Sequence, residues 1–329
     1  MKLAIVGSSG HVGYVLHSAV LGEEVDLVAA ARSGPADATD YTAWGRGGPL
    51  PVHDDYRRML DEVRPDIVCV CPPFGMNAAV SMAAAERGCH ILSDKPLATE
   101  LDDLARLREA VGRAGVRIAA MFDMRCRPQF QAVRQAIADG RIGRPLLAAA
   151  QKSYPFGRRP DFYRRRETYG GTIPWVAIHG LEAIAYCTGE RFTRVAAMQG
   201  NLSQPEYPGA EDHGGLLLEL SGGGHAVVRF DYLRPKAEGS SRRHGDDRLR
   251  IAGSAGIVEV VEEGTAVRLM TPTEVEELPL PPGIDMVASF VQSVRGEGEC
   301  IVTAEDSFRM TEVALRARQA ADEGRIIEL

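Results

Sequence analysis

The sequence predicts an α/β protein in two halves: an N-terminal doubly wound parallel sheet, then a C-terminal α+β domain on a large, mostly antiparallel sheet. Three observations predict this. Strand and helix patterns alternate through residues 1–120, strand-like runs with polar–apolar alternation dominate after Leu146, and 329 residues exceed what one small core holds. The expected boundary falls between 122 and 123, giving domains 1–122 and 123–329, with the C-terminal helix able to pack back onto the first.

In the first half, Lys2–Val6, Val25–Ala31, Asp66–Cys71, His90–Leu92 and Val116–Met121 read as short buried strands. Asn77–Arg87 and Leu101–Arg113 carry apolar residues at helical spacing between them. Such alternation implies parallel strands joined by right-handed crossovers. Ser33–Pro51 is rich in glycine and proline and reads as an irregular loop. A bridging helix is expected near Gln129–Asp139. The second-half strands are Arg194–Asn201, Gly215–Leu220, Ala226–Leu233, Leu249–Ala252, Ile257–Val261 and Ala266–Thr271, with helices on one face of their sheet. Ala304–Arg325 reads as a helix that Gly324 stops.

Composition narrows the function classes. Net charge is −7 and 45% of residues are apolar, so a nucleic acid or anionic membrane is not an expected partner. No apolar run reaches the ~18–20 residues of a membrane span, and the chain enters a strand at once, so a cytoplasmic protein is expected. The six cysteines have no metal spacing. Cys69 and Cys71 share one strand face, and reduced buried thiols are expected, with no metal site.

The first strand runs into Gly7-Ser8-Ser9-Gly10-His11-Val12-Gly13, a G-x-x-G-x-x-G turn before a helix. Glycines there let backbone approach a pyrophosphate, and a following helix offers unpaired N–H groups and a positive dipole end. A dinucleotide-binding, Rossmann-type half is therefore expected, with Gly7, Ser9, Gly10, His11 and Val12 against the cofactor. The second strand ends Ala30-Ala31-Arg32-Ser33, without the acid that normally binds the adenosine ribose. Arg32 and Ser33 suit a 2′-phosphate, which favours NADP over NAD. The alternative is a solvated loop arginine.

Over nearly its whole length the chain resembles the glucose–fructose oxidoreductase/inositol dehydrogenase (Gfo/Idh/MocA) family, most plainly at residues 90–98. His90-Ile91-Leu92-Ser93-Asp94-Lys95-Pro96-Leu97-Ala98 is similar to its Glu-Lys-Pro signature. Cys71-Pro72-Pro73, Arg125-x-x-Pro128, Gly140-Arg141-Ile142-Gly143, Gly170-Gly171 nine residues before His179, Ile251–Gly256 and Glu323-Gly324-Arg325 follow in family order. The resemblance implies that Cys71, Pro72, Pro73, Asp94, Lys95, Pro96 and Asp123 join the cofactor residues. It implies a catalytic Lys95 beside the nicotinamide, with Pro96 often cis, and a catalytic His179 on the substrate. Arg125, Tyr163, Trp175 and His179 become the expected substrate contacts.

Three departures matter. Asp94 replaces the family glutamate, and Met76 stands where many relatives carry histidine. Trp175 occupies the aspartate position four residues before His179. Trp175, His179, Glu182 and Tyr186 share an expected helix face, so His179 reads either as base or hydrogen-bonder, or as a satisfied core histidine. Tyr154–Tyr169 interleaves arginines 158, 159, 164, 165 and 166 with aromatic residues. Such a loop can grip a carboxylate or phosphate, or be a solvated or subunit-bridging surface. Arg242-Arg243-His244 reads as solvated or interfacial.

The expected function is hydride transfer between a nicotinamide and a secondary alcohol or ketone of a sugar, cyclitol or related hydroxy compound, optionally anionic. Two alternatives stand beside it: transient oxidation by a tightly bound cofactor driving elimination or glycoside cleavage, and a non-catalytic cofactor-binding protein. The antiparallel sheet is expected to be covered in a homodimer or homotetramer.

Overall fold

A computed structural model describes residues 1–235, 245–261 and 264–329. The basic run Arg242-Arg243-His244 lies outside them. The chain divides into two compact units, residues 1–121, 167–170 and 285–311, and residues 122–166, 171–284 and 312–329.

The first unit alternates as its sequence pattern demands. It contains β1 (Lys2–Val6), α1 (Val12–Leu16), β2 (Asp26–Ala31), β3 (Val52–His53), α2 (Tyr56–Val63), β4 (Ile67–Val70), α3 (Asn77–Ala85), β5 (His90–Ser93), α4 (Leu101–Ala114) and β6 (Ile118–Ala120). All strands pair in parallel, in the order β3-β2-β1-β4-β5-β6. The sheet is an apolar plane: Leu3–Val6, Ile67–Val70 and Ile91–Leu92 are buried, as strands covered on both faces must be. Chain order reverses between β1 and β4, and the carboxyl ends at such a point form a ligand crevice. Within the stretch read as an irregular loop, Tyr41 and Leu50 pack on Ala30 as a small core.

The second unit holds α5 (Pro128–Ala138), β7 (Pro145–Ser153), α7 (Ile178–Thr188), β8 (Phe192–Gly200), β9 (His213–Leu220), β10 (His225–Asp231), β11 (Asp246–Gly253), β12 (Ile257–Val261), β13 (Ala266–Met270), β14 (Val275–Glu277) and β15 (Ile327–Glu328). Of the other helices, a short α6 (Arg166–Tyr169) falls in the first unit apart from Arg166, as does all of α8 (Met286–Arg295), and α9 (Ala304–Glu323) is divided between the units after Thr311. The sheet order is β14-β13-β12-β11-β7-β10-β9-β8-β15, antiparallel except for β7 beside β10. The sequence reading names no strand at 145–153, yet β7 sits at the centre of this sheet. Its Leu-Leu-Ala-Ala-Ala run carries little β-branched signal, and pairing on both sides overrides local propensity.

α7 is buried on almost all sides. A Cβ on Gly180 would lie 2.8 Å from Val228 Cγ1 and 3.2 Å from Ala150 Cβ, so the missing side chain lets the helix close on the sheet. A π-turn over Ile173–Ala177 precedes α7. This corrects the expectation of one continuous helix face. Trp175 lies on the wider turn, and regular α geometry begins only at Ile178.

Candidate active site

The cofactor half is made chiefly by main chain. Gly7 has φ +79°, and a Cβ there would lie 2.4 Å from the Cys71 carbonyl oxygen and 2.5 Å from Pro72 Cα. Only glycine fits where the turn presses against the end of β4. Gly7 N–H donates to Ala31 O, and Ser9 N–H to Cys71 O at 2.7 Å. Asp94, wholly buried, accepts from His11 N–H and faces His11 Nδ1, each at 2.8 Å, and accepts from Lys95 N–H at 2.9 Å. Asp94 thus staples the glycine turn to the Lys95 segment. The amides of Ser9 and His11, expected on the pyrophosphate, are spent on Cys71 O and the Asp94 carboxylate. Those of Gly10 and Val12 have no hydrogen-bond partner among the described residues. The expected dipole contribution is also corrected: α1 spans five residues, so the turn's own amides, rather than a long helix, must favour an anion.

Lys95 is wholly buried at the end of β5, and its peptide bond to Pro96 is cis. Beside it, Asn77 Nδ2 donates to Asp94 O at 3.2 Å and Pro96 O at 2.8 Å. Asn77 Oδ1 is a buried acceptor with no partner among the described residues. A close-backbone turn, unspent amides and an unspent acceptor beside a buried lysine fit a nicotinamide dinucleotide.

Arg32 and Ser33 meet different partners from those expected. Arg32 Nη1 donates to Asp37 O at 2.8 Å and Thr39 O at 3.0 Å, its Nε lies 3.4 Å from Asp54, and its plane lies over Tyr41. Ser33 gives both N–H and Oγ to Asp37 Oδ2, which also accepts from Tyr41 Oη at 2.6 Å. Burial opposes the Asp37 charge, but the hydrogen bonds from Ser33, Tyr41 and Thr39 outweigh it and hold the carboxyl below its ordinary pKa. Burial and then Asp37 push the Tyr41 hydroxyl up. A cavity lined by Arg32, Gly34, Pro35, Asp37, Ala38 and Asp54 opens here.

The second unit gathers side chains instead. His179, 3% exposed, has Nδ1 3.5 Å from Asp123 Oδ1. Asp123 Oδ2 accepts from Arg127 Nε at 2.8 Å and from Arg127 Nη2. Arg127 Nη1 donates to Asp247 Oδ2 at 2.7 Å, and Lys152 Nζ lies 2.8 Å from Asp247 Oδ1. Asp123, expected on the cofactor, is therefore a neighbour of His179.

Arg125, expected on the substrate, is 4% exposed in an ion pair with Glu182 and stacks on Tyr186 at 4.8 Å. This pairing ties Arg125 to α7. Trp175 is buried with its indole against the Tyr154 hydroxyl, whose pKa burial raises. Tyr163 is buried too, and the Arg159 guanidinium lies 4.9–5.6 Å from the rings of Tyr154, Phe156, Tyr163 and Tyr232. The sequence reading names neither Lys152 nor Asp247, and it places no strand at 145–153 that would make the lysine stand out.

Residues 1–122 match the family described as an oxidoreductase family with an NAD-binding Rossmann fold, and residues 130–259 match the GFO/IDH/MocA C-terminal domain. The chain belongs to the Gfo/Idh/MocA oxidoreductases. Over its full length it superposes on an oxidoreductase of Thermotoga maritima, with TM-score 0.94, 35% identity and complete coverage of both chains. It is 27% identical to 1,5-anhydro-D-fructose reductase of Ensifer adhaerens over 94% of this chain and 91% of that one. It is 26% identical to inositol 2-dehydrogenase of Rhizobium meliloti over 78% and 74%. As a member of this family the chain is an oxidoreductase with an NAD-binding fold. No helix among the described residues is long and apolar enough to cross a membrane.

Proposed function

We propose that this enzyme moves hydride between a nicotinamide and a secondary alcohol or ketone of a sugar, cyclitol or related polyol, with Lys95 exchanging the proton of the reacting hydroxyl. The observation that carries the reading is a lysine with no solvent exposure, tied through Asp94 to the glycine turn. Bound nicotinamide supplies the hydride chemistry, and the protein binds, orients and keeps water out. A lysine held out of bulk water can pass a proton to and from the reacting hydroxyl without solvent competing for it. His179 hydrogen-bonds the substrate and assists deprotonation. The sugar and cyclitol activities named for the relatives support the substrate class. The arginines of 158–166 leave room for an anionic member of it.

For the cofactor we favour NAD, against the NADP expectation drawn from Arg32 and Ser33. Ser33 is spent on Asp37 Oδ2 and Arg32 Nη1 on two carbonyls, while Asp37 Oδ1, which accepts one bond from Thr39 N–H, supports binding of a ribose hydroxyl and the carboxylate repels a 2′-phosphate. On the open face of the second sheet Leu147, Leu217, Val227 and Met198 are exposed, which supports burial against another copy in a homodimer or homotetramer.

Titration with NADH and NADPH, followed by a polyol and sugar-acid panel read by nicotinamide absorbance, tests the function. Lys95→Met should keep cofactor affinity and lose about 10²–10⁴-fold in turnover, the usual range for an acid–base group. Binding of neither cofactor by the native enzyme ends the reading.

A further inference from the structure

We propose that Asp123 positions the His179 imidazole, holding the proton on Nδ1 so that Nε2 carries the lone pair, and that Arg127, Asp247 and Lys152 hold Asp123 in turn. The inference rests on the reading that His179 meets the substrate hydroxyl. The sequence places no carboxylate one turn before His179, because Trp175 stands there. The fold brings one from a separate segment, with Asp123 Oδ1 at 3.5 Å from Nδ1. That distance is longer than an ordinary hydrogen bond, as catalytic contacts often are before ligand tightens them. The nearest acid on the histidine's own helix, Glu182, is paired with Arg125.

The rest of the cluster makes the carboxylate directional. Arg127 occupies Oδ2 through Nε and Nη2 and leaves Oδ1 toward the imidazole. Its third nitrogen is fixed on Asp247, which Lys152 grips from β7. Charges therefore alternate from Asp123 to Lys152. Asp123 and Asp247 are each 7% exposed and Lys152 is 9% exposed, so their attraction is weakly screened.

Asparagine at 123 must respect the same arginine. Its carbonyl oxygen takes the Arg127 side, which turns the amide N–H₂ toward His179 Nδ1. Two donors cannot pair, so the imidazole shifts its proton to Nε2 and loses the lone pair that faces the substrate. A merely structural contact makes no such demand on the tautomer.

The test uses the full chain with ¹⁵N-labelled histidine, His179 being assigned by comparison with His179→Gln. Long-range ¹H–¹⁵N spectra should show the Nδ1–H tautomer in the native protein and Nε2–H in Asp123→Asn. Turnover in Asp123→Asn should fall roughly 10²–10⁴-fold, the scale on which a wrong tautomer disables a base, while the Kd for NAD⁺ stays within about threefold. Asp123→Glu, which keeps a carboxylate, should retain Nδ1–H and most of the turnover. An Nε2–H tautomer in the native protein overturns the proposal whether or not the variants fold, as does unchanged turnover in a folded Asp123→Asn. If the native enzyme turns over no substrate with nicotinamide, the functional reading fails, yet the spectra still decide the pairing.

Discussion

Around Gly7–Gly13 the committed contacts run mostly through main-chain amides and carbonyls, whereas around His179 they run through the charged ends of Asp123, Arg127, Asp247 and Lys152. The first arrangement depends on backbone shape and can be spoiled by a single methyl group. The second depends on charge balance: deleting one member leaves another buried without compensation. Regions held together by such different means should fail differently under substitution.

The largest effect on stability is expected in the second unit. Arg125→Met strands Glu182, 1% exposed, and should cost about 3–5 kcal/mol, the penalty for breaking a buried pair from one side. Adding Glu182→Leu should restore much of it, since an apolar pair needs no compensation. Denaturant melts of single and double variants check this, and equal losses in both would show that Arg125 acts by other means.

In the first unit, Gly7→Ala meets the Cys71 carbonyl and must adopt φ +79°. The backbone strain alone costs about 1–2 kcal/mol, and the turn must also move, so NAD⁺ affinity should drop at least ~10-fold. Isothermal titration reads the affinity, and native-like binding would remove the case for close backbone approach. Asp37→Ala is milder: it should weaken NAD⁺ while sparing NADP⁺, moving the preference ratio by about tenfold, or ~1.4 kcal/mol. A ratio that does not move would return the choice to the Arg32 reading.

The smallest expected effect is one of pH. Asp37 titrates below its ordinary value in the folded protein, so its stabilisation is fully present above the unfolded pKa of about 4 and is lost as pH falls through the folded one. The Tm difference between the native enzyme and Asp37→Asn should therefore be constant near neutrality and close below about pH 4. A difference that persists at lower pH would assign the effect to shape rather than charge.

Much of this was readable along the chain, and the reason is locality. The glycine turn after β1, the Asp94-Lys95-Pro96 segment after β5 and the alternation of strand and helix are contiguous stretches whose meaning needs only near neighbours. β7 escaped because alanine-rich sequence becomes strand only when β10 and β11 flank it. The surroundings of Arg32 are less legible, because Asp37 and Thr39 lie in a loop whose course periodicity does not dictate. The pairing of Arg125 is hidden for a different reason, its partner Glu182 being 57 residues away.

The sequence by itself determined the doubly wound first sheet, the place of the dinucleotide turn and the presence of Lys95 at a strand end, because periodicity and glycine conformation act over a few residues. Only the tertiary structure decided that Asp123 lies beside His179, that Arg125 pairs with Glu182 and that Arg127 and Lys152 share Asp247. Those choices are made by charges far apart in the chain, and burial lets only the pairs that close on one another remain charged.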